Sequence, residues 1–303
     1  MLFSLALVPV IVILVYIYKK DKKEKEPMGL LIGLFFAGMG TIITALIAEV
    51  IGELLFDAIF PYESAIKQFL LAMLIIAPAE ELGKYMVLRL ITRKNKHFNY
   101  SYDAIVYSVF VSLGFAALEN IGYVFSNGIG TAFLRMFTAV PGHAADAVFM
   151  GYFYSRAKHG QLSNNQEEYS KNLKLTILVP IITHGLYDGI IFAGVSSENV
   201  LTGFASILLW IVFVIVLFVF SIITINKASR NDFCITYMPG NIQGLYIPQY
   251  ADSWVCTCGM ENQYNFCSRC GSVRPLSPLW YCPRCGNPSA YNFCGCCGMT
   301  RPV

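Results

Sequence analysis

The hydrophobic pattern of this chain consists of long apolar segments separated by short polar loops. The apolar segments fall at 2–18, 29–51, 67–91, 103–125, 132–157, 172–194 and 202–225. Each segment supplies roughly the 20 residues that a helix needs to cross a bilayer. The pattern therefore predicts an all-α polytopic membrane protein with about seven transmembrane helices, followed by a small tail of different character.

Composition agrees with a chain that has the lipid bilayer as its solvent. Of 303 residues, 56% are hydrophobic and only 14% are charged, and the mean hydropathy is +0.55. These values exclude an ordinary soluble domain. The net charge of +3 is too small to indicate nucleic acid as a partner.

The basic residues concentrate in alternate loops, and this predicts the orientation. Five lysines lie in 19–25, and further basic residues follow the third segment, flank the loop between the fifth and sixth, and follow the seventh. The opposite loops hold Asp57, Glu63 and Glu198 with little positive charge. Because short cytoplasmic loops carry the excess of Lys and Arg, we expect a plasma-membrane protein with its N-terminus outside and its C-terminus in the cytoplasm.

The sequence also divides into three regions. Residues 1–230 form the predicted membrane domain, 231–253 contain prolines and glycines typical of a linker, and 254–303 contain nine of the ten cysteines. The tail holds two similar units, each with two cysteine pairs in which every second cysteine precedes glycine. The predicted metal ligands are Cys256, Cys258, Cys267 and Cys270 in the first unit, and Cys282, Cys285, Cys294 and Cys297 in the second.

Four thiolates per unit are the ligand set of a closed structural zinc site, so we expect about two zinc ions. Disulfides are the alternative, but a cytoplasmic tail would lie in a reducing compartment. Cys296 is a spare cysteine in the second unit. The tail resembles the double zinc ribbon family, which implies an interaction or regulatory module with a possible cytosolic protein partner.

Charged and imidazole side chains lie inside four of the apolar segments. They are Glu80, Glu81 and Lys84 in the third, Glu119 in the fourth, His143 and Asp146 in the fifth, and His184 and Asp188 in the sixth. Such groups cost about 2.5–3.5 kcal/mol each on insertion scales and indicate a functional site. Given the predicted orientation, they fall at nearly one depth, from the middle of the membrane to its outer half.

A carboxylate held out of bulk water is a usable general base, and a histidine can stabilise an oxyanion, so these residues suit hydrolysis of an amide bond. The sequence has neither a His-Glu-x-x-His motif nor a Gly-x-Ser-x-Gly motif, which argues against zincins and serine hydrolases. Asp146 and Asp188 would remain as a possible aspartyl dyad.

At these residues the chain resembles the PrsW family of intramembrane proteases, relatives of the CAAX prenyl protease group. Glu80-Glu81-x-x-Lys84, Phe115-x-x-x-Glu119, His143 and His184-x-x-x-Asp188 match its motifs in order, within residues 1–230. The resemblance implies a glutamate-dependent endopeptidase that cleaves single-pass membrane proteins such as anti-sigma factors in a stress response. It also implies that Glu80 activates water and that His184 helps to hold the oxyanion.

The chain departs from the CAAX relatives at Glu119, where they have histidine, and at Asp188, where they have asparagine. These departures leave the possibility of a catalytic metal open, with Glu81, Glu119, His143 and His184 as ligands. Two other functions also remain possible from the residues alone. One is a non-enzymatic scaffold that recruits a cytosolic partner through the tail, and the other is a proton-coupled transporter.

The orientation is testable with a membrane-impermeant thiol reagent. In intact cells the reagent should label Glu198→Cys, because that loop is predicted to lie outside, and should leave Lys94→Cys unlabelled. The unmodified chain controls for its own cysteines. The reverse labelling pattern would contradict both the orientation and the cytoplasmic location of the tail.

Overall fold

The computed structural model describes residues 2–235 and several parts of the tail, namely 254–256, 258–262, 268–270, 280–283, 288–289, 293–294, 296 and 299–301. The chain divides into two compact units, Met1–Ile235 and Thr236–Val303. Most of the predicted linker, from residue 236 to residue 253, lies outside the described residues.

The described part of the first unit is built from helices. They are α1 Leu2–Lys20, α2 Met28–Ile59, α3 Ala65–Leu71, α4 Ala77–Thr92, α5 Asp103–Asn127, α6 Ile129–Phe137, α7 Ala139–Leu162, α8 Gln166–Val195 and α9 Val200–Arg230. A π-helical segment, Ala72–Ile76, joins α3 to α4. The described tail contains two antiparallel hairpins, β1 Trp254–Val255 with β2 Glu261–Asn262, and β3 Trp280–Tyr281 with β4 Pro288–Ser289.

Five of these helices are long and apolar enough to cross a membrane, namely α1, α2, α5, α8 and α9. On α2 and α9, large apolar side chains such as Leu54, Leu55 and Val212 are more than half exposed. Exposed apolar surface on this scale is expected where lipid, not water, surrounds a helix. The all-α membrane class predicted from the sequence is therefore confirmed.

The other two predicted spans are helical but interrupted. Residues 67–91 form α3, the π segment and α4 as one helical path. Pro78 lies in the first turn of α4 and cannot donate to a carbonyl one turn earlier. The wider π turn immediately before it accommodates this loss, and such turns are frequent at functional sites.

The predicted segment at 132–157 is not one continuous helix. The helical path breaks at Thr138, between α6 and α7. Pro141 lies in the first turn of α7, where its missing N–H costs nothing, and this favours a helix start at that point. In α6 only Ala132 is buried, while Ile129, Phe133 and Phe137 are exposed, as expected for a short helix that packs one face and presents the rest to lipid.

Helix α5 forms the centre of the first unit and packs against α1, α2, α4 and α7. It is buried from Asp103 to Ala117. Its contact with α2 depends on glycine, since a Cβ atom at Gly114 would lie 2.0 Å from the Phe35 carbonyl oxygen, and one at Gly38 would lie 2.0 Å from the Val111 carbonyl oxygen. Small residues of this kind let helix backbones approach closely in membranes.

Buried carboxylates gather where α1, α2, α5 and α9 begin or end. Asp21, Glu26, Asp103 and Asp232 are each at least nine-tenths buried. Tyr107 donates to Glu26, and Asp103 accepts from two backbone N–H groups. Both carboxylate oxygens of Asp21 lack a hydrogen-bond partner among the described residues. Burial raises the pKa of Asp21 to about 7, although the nearby Lys25 ammonium opposes that rise.

This raised pKa predicts how stability depends on pH. The folded protein keeps a proton on Asp21 that the unfolded chain releases above about pH 4. Stability from this site is therefore greatest below pH 4 and is lost as pH rises toward about 7. Replacing Asp21 by Asn removes the charge, and should raise the free energy of unfolding by roughly 1–3 kcal/mol at pH 8.

The measurement is thermal unfolding of the purified protein at pH 5 and pH 8. The exposed Glu167→Gln change is a matched control and should have no effect at either pH. A gain for Asp21→Asn that is equal at the two pH values would show that Asp21 does not titrate in this range.

Candidate functional site

The site is organised by an ion-paired turn of α4. Lys84 Nζ donates to Glu80 Oε2 at 2.9 Å and to Glu81 Oε1 at 2.7 Å. The spacings of four and three residues place both carboxylates beside the ammonium on one helix face. The Lys84 side chain is 1% exposed, and its ammonium also lies 4.1 Å from the centre of the Phe115 ring. One turn of α4 therefore buries two negative charges and one positive charge together.

Helix α8 brings the second polar pair to this turn. His184 Nδ1 lies 2.8 Å from Glu81 Oε1, and His184 Nε2 lies 3.1 Å from Asp188 Oδ2. The helices approach closely here because residue 185 is glycine, and a Cβ atom at Gly185 would lie 2.6 Å from the Met73 sulfur in the π segment. Both nitrogens of the His184 ring thus face carboxylate oxygens.

Helices α5 and α7 complete the cluster. His143 Nε2 lies 2.8 Å from Glu119 Oε2, and His143 Nδ1 lies 3.4 Å from Lys84 Nζ. The two imidazoles are 5.3 Å apart between ring centres. The structure therefore brings together all seven residues that the sequence singles out as catalytic candidates. They are Glu80, Glu81, Lys84, Glu119, His143, His184 and Asp188.

Arg135 is a charged member of this network that the sequence analysis did not select. Its guanidinium donates to Glu119 Oε2 at 2.8 Å and to Asn120 Oδ1 at 2.9 Å. Asn120 in turn donates to the Ala6 carbonyl oxygen of α1. Arg135 is one of the few basic residues outside the basic loops. A basic residue outside the basic loops was the sequence feature that could have indicated its pairing with a buried carboxylate.

The possible aspartyl dyad is not assembled. Asp146 Oδ1 accepts a hydrogen bond from Thr183 Oγ1 at 2.5 Å, whereas Asp188 pairs with His184. No described contact joins the two aspartates. The hydrophobic pattern alone does not distinguish Asp146 from the cluster residues, because all of them lie in apolar segments, but Asp146 lies outside the matched motifs.

The donor set of the cluster fits a metal ion. Ligand atoms of Glu80, Glu81, His143 and His184 all lie within 4.8 Å of one another, and all four residues are buried. Glu81 Oε2 has no hydrogen-bond partner among the described residues. Imidazole nitrogens and carboxylate oxygens are ligands that zinc accepts. Glu119, which the sequence analysis included among possible ligands, lies outside this set because Arg135 and His143 hold its carboxylate.

The relatives of this chain share its membrane domain. Residues 26–221 match the model of the family described as PrsW family intramembrane metalloprotease. The chain belongs to the PrsW family. It is therefore a membrane-embedded peptidase and a multi-pass membrane protein, and its substrate is a membrane protein.

Three curated relatives illustrate the extent of the match. Protease PrsW of Oceanobacillus iheyensis is 35% identical over 70% of this chain and 92% of its own length. Protease PrsW of Clostridioides difficile is 31% identical over 69% of this chain and 87% of its own length, and that of Bacillus subtilis is 31% identical over 63% and 83%. No solved structure matches the chain. The family match ends before the cysteine-rich tail begins.

The described tail brings together three of the four predicted ligands in its first unit. Ligand atoms of Cys256, Cys258 and Cys270 lie within 4.8 Å of one another, and the Cys256 and Cys270 sulfurs are 3.5 Å apart. A metal fits this sulfur group. The remaining predicted ligand, Cys267, lies outside the described residues, as do Cys285 and Cys297 of the second unit.

Metal analysis of the whole protein separates the tail from the membrane cluster. We expect the full chain to carry about two zinc ions more than a chain that ends after Ile235, since four thiolates bind one zinc. Zinc is measured by elemental analysis of protein purified without added metal.

Cys256→Ser with Cys270→Ser should lower the zinc content of the full chain by about one ion. Equal zinc content in the full and shortened chains would contradict zinc binding by the tail. Metal retained by the shortened chain would instead belong to the membrane cluster.

Proposed function

We propose that this protein is an intramembrane endopeptidase that hydrolyses a peptide bond in a single-pass, anti-sigma-factor-like membrane protein, with Glu80 as the general base. The observation that carries the assignment is the difference between the two adjacent glutamates. The Glu80 side chain is 8% exposed, whereas that of Glu81 is 1% exposed and its Oε1 is bonded to both Lys84 and His184. Glu80 is thus the carboxylate that water can reach.

In this proposal Glu81 and Lys84 position the base. The Lys84 ammonium holds Glu80 Oε2 at 2.9 Å and is itself held by Glu81 at 2.7 Å. This contact orients the Glu80 carboxylate before substrate arrives. Preorganisation of this kind lowers the barrier because no reorientation is needed during the reaction.

His184 is the proposed oxyanion donor. Its Nε2 is 3.9 Å from Glu80 Oε2 and 3.1 Å from Asp188 Oδ2, so it is the imidazole nitrogen nearest to the base. A substrate carbonyl that enters beside Glu80 would meet this N–H and compete with Asp188 for it. Glu81 on the other ring nitrogen fixes the imidazole plane. Asp188 therefore accepts the His184 hydrogen bond while no substrate is bound.

His143 and Glu119 are the proposed supporting residues on α7 and α5. The Glu119 carboxylate accepts from Arg135 and contacts His143, whose other ring nitrogen lies 3.4 Å from Lys84. This chain of contacts links Lys84 to α5 and α7. We expect its loss to impair catalysis through the position of Lys84.

A catalytic metal is consistent with the same residues. Glu80, Glu81, His143 and His184 would hold it, and a bound divalent cation would polarise the scissile carbonyl and acidify water. In the structure the Lys84 ammonium donates to the carboxylates of Glu80 and Glu81 and lies near His143. Two cations in contact would repel each other, so metal binding and this Lys84 arrangement are alternatives.

The tail is proposed to act as a cytoplasmic interaction or regulatory module. Closed four-thiolate sites leave no open coordination position, so the tail contributes no catalytic group. With the orientation predicted from the loops, the N-terminus is outside and the tail contacts a cytosolic protein. Cleavage is then expected toward the outer end of the substrate helix, since Glu80 lies away from the basic loops.

Replacing Glu80 by Gln should lower cleavage of a co-expressed single-pass substrate by about 10²–10⁴-fold, because an amide cannot accept the proton from water. Expression and thermal stability should hardly change, because Gln keeps the shape and loses only one of two carboxylate contacts to Lys84. Cleavage is followed by immunoblot and by mass spectrometry of the fragments.

Glu81→Gln serves as the matched comparison. It should reduce both cleavage and stability, the latter by roughly 3–5 kcal/mol, because it leaves Lys84 and His184 without their shared buried partner. Full cleavage by Glu80→Gln would refute the assignment of the base. Fragments cut at the end of the substrate nearest the basic loops would refute the proposed depth.

A further inference from the structure

A cavity lies at the basic-loop end of the helices, well away from the catalytic cluster. It has a volume of about 160 Å³ and lies between the ends of α4, α7 and the start of α8. Its polar lining consists of Arg89, Arg93, Lys94, Lys158, Tyr154, Tyr169 and Gln161. Along α4, residues 80 and 93 are separated by about 20 Å of helix. The cavity is therefore a separate feature.

The charge of this cavity is one-sided. Four cationic side chains line it, and its lining contains no carboxylate. Within residues 2–235, none of these four cations takes part in a recorded ion pair. Four neighbouring positive charges without a counterion repel one another, and an anion between them would relieve that repulsion.

Local contacts hold two of these cations beside the cavity. Lys158 Nζ donates to the Arg93 carbonyl oxygen at the end of α4, which draws the α7 ammonium toward the α4 residues. Arg89 donates one N–H to the Tyr85 hydroxyl at 3.0 Å, and its other N–H groups make no recorded hydrogen bond within residues 2–235. Cations are ordinary near a helix C-terminus, and this accounts for Arg89 in the last turn of α4 and for Arg93 at its C-cap. It does not account for Lys158, which comes from α7 and lines the same cavity.

Exposed apolar side chains of α4 lie next to Arg89 of the cavity lining. Leu90 is 67% exposed and Met86 is 59% exposed, on the same turns of α4 as Arg89. A basic cavity between membrane helices, beside an apolar helix face, is the arrangement that accepts a lipid head group. Guanidinium groups bind phosphate oxygens in pairs, and Lys adds a point charge.

We propose that this cavity binds a phosphate ester anion, supplied by the head group of an anionic phospholipid. The proposal is independent of the peptidase mechanism, because none of the lining residues belongs to the catalytic cluster. Binding would fix the ends of α4, α7 and α8 relative to one another at the membrane surface.

The test uses the full-length protein in nanodiscs of phosphatidylcholine with a small fraction of spin-labelled phosphatidylglycerol. Arg93→Gln with Lys94→Gln removes two charges from the cavity, and both side chains are exposed enough to be replaced without disturbing packing. Lys22→Gln with Lys23→Gln is the matched control, since these exposed lysines lie in another basic loop and do not line the cavity.

The fraction of immobilised labelled lipid is the readout. We expect the cavity variant to lose affinity for phosphatidylglycerol by about tenfold or more, and the control variant to retain it within about twofold. If the unmodified protein immobilises no more phosphatidylglycerol than phosphatidylcholine but binds inorganic phosphate, and the cavity variant does not bind it, the occupant is free phosphate and the lipid assignment is overturned. An equal loss in both variants, or no loss in either, would overturn the proposal.

Discussion

The ion pairs of the Lys84 ammonium with Glu80 and Glu81 are the interactions on which the rest of the membrane domain depends. Burying an ammonium among apolar helices is unfavourable unless carboxylates surround it. Glu80 and Glu81 supply those charges from its own helix, and His143 approaches it from α7. Once Lys84 is in place, His184 and Glu119 are fixed through their bonds to its partners. Helices α4, α5, α7 and α8 are therefore joined by one chain of polar contacts.

This chain of contacts explains why the site residues lie at one depth. A charge in hydrocarbon must find its partner at its own level, because there is no water to substitute for it. The π segment and Gly185 bring the charged residues of α4 and α8 to the same level, because the missing side chain at Gly185 lets α8 pack closely against the π segment. Arg135 of α6 adds to this network through its ion pair with Glu119 of α5. Arg135 also donates to Asn120, and Asn120 donates to the Ala6 carbonyl oxygen of α1.

Much of this arrangement was predictable from the sequence, for a physical reason. Charged and histidine residues in apolar segments are rare, so each one is informative, and Glu80, Lys84 and His184 were recognised in this way. The hydrogen bond from Thr183 to Asp146 was not predictable, because a threonine does not interrupt an apolar segment and so does not stand out in the hydrophobic pattern. Pro141 indicates a break in its segment, but the position of that break at Thr138 was not predictable, since the apolar pattern continues across it.

The two glutamates of α4 differ because of their neighbours and not because of their chemistry. Glu81 points its Oε1 to both Lys84 and His184, and its side chain is almost fully enclosed. Glu80 shares the same ammonium but retains some access from outside. A general base must be accessible to water, whereas a carboxylate that holds a buried lysine in position must be shielded from water. Two adjacent residues on one helix turn can meet these two requirements separately. The adjacency is also what lets one lysine orient both, because positions three and four residues before Lys84 flank its ammonium.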